Sequence, residues 1–208
     1  MSGAFTRIAW LVLALLAAPA WGRQPVILVM GDSLSSGYGL PQGTGWVDLL
    51  QRKLAAEKFD YRVVNASISG ETTLGGRNRL GPALHEHKPG IVLLALGSND
   101  GLRGQSIDSM QANLSAMARD SRRAGARVLL IGMRIPPNYG PQYTQKFHAA
   151  FAQVARREKL PLVPFLLEGF ADERDMFQAD GIHPAPAAQS KMLDNIWPQL
   201  KPLLAPAR

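Results

Sequence analysis

A serine at position 33 stands in Gly31-Asp32-Ser33-Leu34-Ser35-Ser36-Gly37, and Asp180-Gly181-Ile182-His183-Pro184 follows far downstream. A serine hydroxyl attacks poorly until a base removes its proton, and that base must be oriented. His183 can be the base. Asp180, three residues earlier, can reach across one turn to the other ring nitrogen, hold the tautomer and stabilise the imidazolium. Attack on a carbonyl also creates an oxyanion that needs donors aimed at it. The backbone N–H groups of Ser33 and Gly70 and the side-chain amide of Asn99 can supply three. They lie in the blocks Ser67-Ile68-Ser69-Gly70-Glu71-Thr72 and Gly97-Ser98-Asn99-Asp100-Gly101. Together these groups suit acyl transfer through a covalent serine intermediate.

Such groups must be brought together by the elements that precede them. Apolar runs rich in β-branched residues occur at Val26–Met30, Tyr61–Ala66, Ile91–Leu96, Val128–Met133 and Leu162–Phe165. All but the second are nearly continuous, as in parallel strands covered on both faces. Between them, residues at helical spacing mark amphipathic faces: Trp46, Val47, Leu50 and Leu54; Met110, Leu114 and Met117; Phe147, Phe151 and Val154. A last helix is expected from Pro186 through Met192, Leu193 and Ile196. Strands alternating with helices predict a three-layer α/β/α fold with a five-stranded, doubly wound parallel sheet. In such sheets ligands bind beyond the carboxyl ends of the strands. Each chemical block follows a strand.

The chain has 208 residues, no cysteine and a formal charge of +7. That length suits one domain with a full core. Absence of cysteine excludes disulfides, Cys-ligated zinc, thiol nucleophiles and a lipid-modified cysteine anchor. Arg7, the apolar run Ile8–Ala18 and the small-x-small pair Ala20 and Gly22 describe a secretory signal over residues 1–22. The run is shorter than the ~20 residues a membrane span needs, so no stable anchor is expected. Residues 23–208 then form the mature domain, periplasmic or secreted, with charge +6 once Arg7 is lost. The basic residues fall near helix C-termini and are scattered along the chain with no aromatic interleaving, so no nucleic-acid partner is expected. Small size and a polar surface predict a monomer.

The blocks Gly31–Leu34, Gly70, Gly97–Asp100 and Asp180–His183 resemble, in order, the four sequence blocks of the SGNH (GDSL) hydrolase family. The stretches 63–72, 136–140 and 178–184 resemble its periplasmic branch of thioesterase I, lysophospholipase and arylesterase enzymes. This resemblance implies a flavodoxin-like sheet, no metal or organic cofactor, and hydrolysis of small-molecule acyl esters and thioesters through an acyl-serine. It implies Ser33, Asp180 and His183 as catalytic residues, with Ser33, Gly70 and Asn99 as the oxyanion hole. Leu74, Leu102, Arg134, Ile135, Pro136 and Tyr139 follow strand ends and are candidates for the acyl site. Glu71–Leu80 is expected as a mobile loop hinged at Gly75-Gly76. A carbohydrate O-deacetylase and a non-enzymatic binder of anionic surfaces remain as alternatives.

Blander roles stand beside these. Ser33 can serve as a helix N-cap, and Asp180 can cap the last helix. Asp32 and Asp100 read as braces for their loops. His85 and His87 lack the His-Glu-x-x-His spacing of a metal site and read as solvated, and His148 as surface or satisfied core. The Gly-x-Ser-x-Gly elbow is absent, because Ser35 stands where its second glycine would be.

Overall fold

The computed structural model describes residues 24–204; the expected signal segment lies outside them. Five strands, β1 (Val26–Gly31), β2 (Arg62–Asn65), β3 (Ile91–Ala95), β4 (Arg127–Ile131) and β5 (Leu162–Val163), form one all-parallel sheet in the order 2-1-3-4-5. β1 and β3 are buried throughout, which explains their unbroken apolar sequence. β2 is an edge strand with only its central valines half-buried, and it reads accordingly as the weaker run. β5 keeps two residues of the expected four. Pro164 ends it, having no N–H for the ladder.

Helices α1 (Ser33–Ser36), α2 (Trp46–Ala56), α3 (Thr73–His87), α4 (Ser98–Leu102), α5 (Ile107–Arg123), α6 (Pro141–Glu158) and α7 (Gln189–Leu200) alternate with the strands. α2 and α7 pack together on one face, and α3, α5 and α6 on the other. The marked helical stripes are core. Trp46, Leu50, Leu54, Leu114, Met117, Phe147, Val154 and Ile196 all have no exposed surface. A short 3₁₀ turn, Pro186–Ala188, precedes α7 where the last helix was expected to begin.

α3 is a correction. Glu71–Leu80 was expected as a mobile loop, but from Thr73 onward it is helix, entered through the Thr72 side chain, which accepts from Gly75 N–H. Gly75 and Gly76 are no hinge. A Cβ on Gly76 would lie 2.3 Å from the Leu96 side chain, and one on Gly75 would lie 1.9 Å from the Glu71 carboxylate. Both glycines allow close packing. The buried positions of α3 are Thr73, Gly76, Leu80 and Leu84, helical in spacing but half of them not apolar.

Candidate active site

The strand order reverses between β1 and β3, so a crevice opens beyond their carboxyl ends. Asp32 follows β1 and caps α1, its carboxylate accepting from Leu34 N–H at 3.0 Å. Ser33 is therefore the first residue of α1, and Asp32 is the N-cap. α1 is held from both sides. Trp46 Nε1 donates to Leu34 O at 3.1 Å, and Asn65 Nδ2 donates to Ser35 O at 2.8 Å.

His183 arrives on a tight loop before α7. Gln178 N–H donates to His183 O at 2.8 Å, and Phe177 bridges Pro184. Arg174 donates to the carbonyls of Phe177, Gln178 and Ala179, pinning the loop from outside. The Asp180 carboxylate accepts from Ile182 N–H at 2.9 Å and His183 N–H at 3.0 Å, so its hydrogen bonds close its own turn and do not cap α7. Its second oxygen lies 2.7 Å from His183 Nδ1. Those donors, the His183 backbone first, pull the Asp180 pKa down to about 2. An ionised carboxylate only accepts, so Nδ1 carries the proton and Nε2 presents a lone pair. Nε2 lies 2.9 Å from Ser33 Oγ.

Gly70 and Asn99 converge on the same crevice. Gly70 has φ +79°, a left-handed conformation that favours glycine, and its carbonyl accepts from Arg103 Nη2 at 3.0 Å. Ser69, beside it, shares a hydroxyl contact of 3.0 Å with Ser36 of α1. Asn99 Nδ2 donates to Glu71 O at 3.0 Å and, more weakly, to Asp32 Oδ2 at 3.4 Å. The three donor-bearing blocks are thus tied to one another around Ser33.

The braces are visible as well. Buried Asp100 accepts from Thr73 N–H and Thr73 Oγ1, fastening α4 to the start of α3. Asp32 is buried beneath the site. Burial raises its pKa to about 6, against the hydrogen bonds from Leu34 and Ser98 and the nearby His183. With the folded pKa above the unfolded one, the contribution to stability is full below pH ~4 and is lost as pH rises through about 6. The loss amounts to about 3 kcal/mol. Asp32→Asn, neutral at every pH, should flatten that limb of a melting-temperature-against-pH profile. An unchanged limb would show that Asp32 ionises as freely as in the unfolded chain.

The candidate acyl residues divide. Leu74 is 55% exposed, Pro136 is exposed, and Tyr139 is 37% exposed with its hydroxyl donating to Leu102 O at 2.9 Å. Leu102 is half-buried against the core. Ile135 departs from expectation: it is buried, and a Cβ on Gly101 would lie 2.9 Å from its Cγ2, so it supports α4 from beneath. Arg134 turns the other way, over the Phe165 ring at 4.8 Å and toward Glu168 at 3.6 Å. A shallow depression of about 560 Å³ lined by Tyr139, Pro141, Tyr143 and Lys146 opens on the α6 side and touches neither Ser33 nor His183.

Three exposed apolar residues went unnoticed in the sequence: Tyr38, Ile68 and Ile182, each at least half exposed. Tyr38 lies against His183, ring centroids 4.5 Å apart, and Gln178 Nε2 holds its carbonyl at 2.9 Å. Their signal was position alone, each beside a chemical block. His85 is exposed on the last turn of α3, while His148 Nδ1 is buried without a hydrogen-bond partner among the described residues.

A family model for the GDSL-like lipase/acylhydrolase family matches residues 29–191. The chain belongs to this family. It is 53% identical over 192 residues to Esterase TesA of Pseudomonas aeruginosa, covering 92% of this chain and 96% of that protein. It is 39% identical over 178 residues to Thioesterase 1/protease 1/lysophospholipase L1 of Escherichia coli, covering 86% and 84%. A crystal structure of TesA superposes with a TM-score of 0.84 at 55% identity, covering 86% of this chain and 99% of that one. The chain is accordingly a hydrolase of ester bonds. Among the described residues no helix is long and apolar enough to cross a membrane.

Proposed function

We propose that this enzyme hydrolyses medium-chain and long-chain acyl esters and thioesters through an acyl-Ser33 intermediate, in the periplasm after export. The observation that carries this reading is the relay from Ser33 Oγ through His183 to Asp180, at 2.9 and 2.7 Å. His183 Nε2 takes the Ser33 proton as Oγ bonds to the substrate carbonyl carbon. The oxyanion receives hydrogen bonds from Ser33 N–H, Gly70 N–H and Asn99 Nδ2. Collapse expels the alcohol or thiol, which leaves with the proton from His183. A water molecule then gives a proton to Nε2 and attacks the acyl carbon. The second collapse returns the proton to Ser33 Oγ and frees the acid. Asp180, with its pKa near 2, stays ionised and stabilises the imidazolium.

The exposed apolar residues at the strand ends support an acyl chain rather than an acetyl group. Ile68, Leu74 and Ile182 offer surface that water covers poorly. Burying each additional methylene of substrate is worth about 0.8 kcal/mol, about fourfold in kcat/KM. A panel of p-nitrophenyl acetate, p-nitrophenyl octanoate, octanoyl-CoA and lysophosphatidylcholine tests this reading. Octanoate should exceed acetate by at least tenfold, and Leu74→Gln should narrow that ratio. A preference for acetate would transfer support to an O-deacetylase.

A further inference from the structure

The cations that look scattered in the sequence are gathered in the fold. α2, α3, α5 and α6 each run back to the strands' amino ends, the edge opposite Ser33 and His183. Lys201 joins that edge by pairing with Glu57 at 3.0 Å. With Lys201, segments 53–62, 85–91, 119–127 and 156–161 hold twelve lysines and arginines against five acids. The rest of the described fold holds eight against eleven. Among the described residues the positive excess therefore sits away from the site.

Its construction is not what helix ends alone require. α5 leaves through Gly125 in the left-handed conformation, at φ +87°. After α2, α3 and α6 the left-handed residue is a lysine: Lys58 at φ 61°, Lys88 at φ 46° and Lys159 at φ 52°. Side chains are strained there and glycine is not. All three lysines are exposed. Beside Lys159, Arg119, Arg122 and Arg157 lie 2.6, 3.3 and 3.7 Å from the single buried carboxylate of Glu158. Three half-exposed guanidinium groups around one acid leave surplus charge facing solvent.

We propose that this edge docks on the surface of an anionic phospholipid bilayer, holding the enzyme with its site turned away from the membrane. One observation favours a bilayer over nucleic acid. The aromatic rings at this edge pack into the fold: Tyr61 is buried, and Phe59 and Trp197 are partly buried against the core, with Lys53 and Lys201 over the Trp197 ring at 4.9 and 5.8 Å, an arrangement poorly suited to base stacking.

The test is partition of the mature chain, residues 23–208, onto phosphatidylglycerol/phosphatidylcholine vesicles and onto pure phosphatidylcholine vesicles, at about 0.1 M and about 0.5 M salt. Preference for the anionic vesicles, lost at the higher salt, is expected. The triple variant Lys58→Gly/Lys88→Gly/Lys159→Gly should bind anionic vesicles about a hundredfold more weakly, at about fivefold per cation. It should keep its p-nitrophenyl octanoate activity and melt no lower than the parent, because glycine suits these backbones. Equal binding to neutral vesicles, salt-insensitive binding, or an unaffected triple variant would overturn the proposal. Tighter binding to duplex DNA at equal phosphate would also overturn it. The salt and lipid comparisons need no substitution, and esterase activity is read separately.

Discussion

Ser33→Ala is expected to lower kcat on p-nitrophenyl octanoate by about 10⁶, the scale seen when a triad loses its nucleophile. No neighbouring hydroxyl can substitute. Ser35 is buried under Gly31, and Ser36 is engaged with Ser69. The same change should barely move the melting temperature. The Ser33 side chain faces His183 at the rim of the crevice, and Asp32 still caps α1 without it. A residual rate of about 10³ over water can survive from the oxyanion donors alone. Loss of activity together with loss of cooperative melting would show instead that Ser33 holds the fold.

Asn99→Ala should lower kcat by about 10² to 10³ while leaving KM near its starting value, because an oxyanion donor acts on the tetrahedral state and not on bound ester. The amide carries two hydrogens. One is donated to Glu71 O at 3.0 Å and the other to Asp32 Oδ2 at 3.4 Å, and this longer second bond is the one an oxyanion would replace. Removing the amide also strips Glu71 O of a partner, at a cost of about 1 kcal/mol in stability. Kinetics and melting curves of the variant separate the two effects. A raised KM with unchanged kcat would place Asn99 in ground-state binding.

Much of this is legible in the sequence. β1, β3 and β4 are written as apolar runs because both their faces are covered, and the blocks that follow them inherit the strand ends. Thr73, Gly76, Leu80 and Leu84 show why α3 was not legible. A helix that packs through threonine and glycine shows no hydrophobic periodicity, although its backbone spacing is helical. Ile135 misled in the opposite sense, since following a strand end does not say on which side of a loop a residue lies. Tyr38 was invisible because its placement over His183 depends on Gln178, 140 residues away in sequence. The charge was misread for a related reason. Cations separated in sequence share one edge only once the parallel sheet has aligned the helix ends.

Intact-protein mass spectrometry after reaction with a fluorophosphonate tests the central claim most directly. The relay predicts one phosphonyl adduct, located on Ser33, absent in Ser33→Ala and strongly slowed in His183→Ala. An enzyme that hydrolyses octanoyl esters yet takes no adduct at Ser33, or takes it equally fast without His183, would contradict the account.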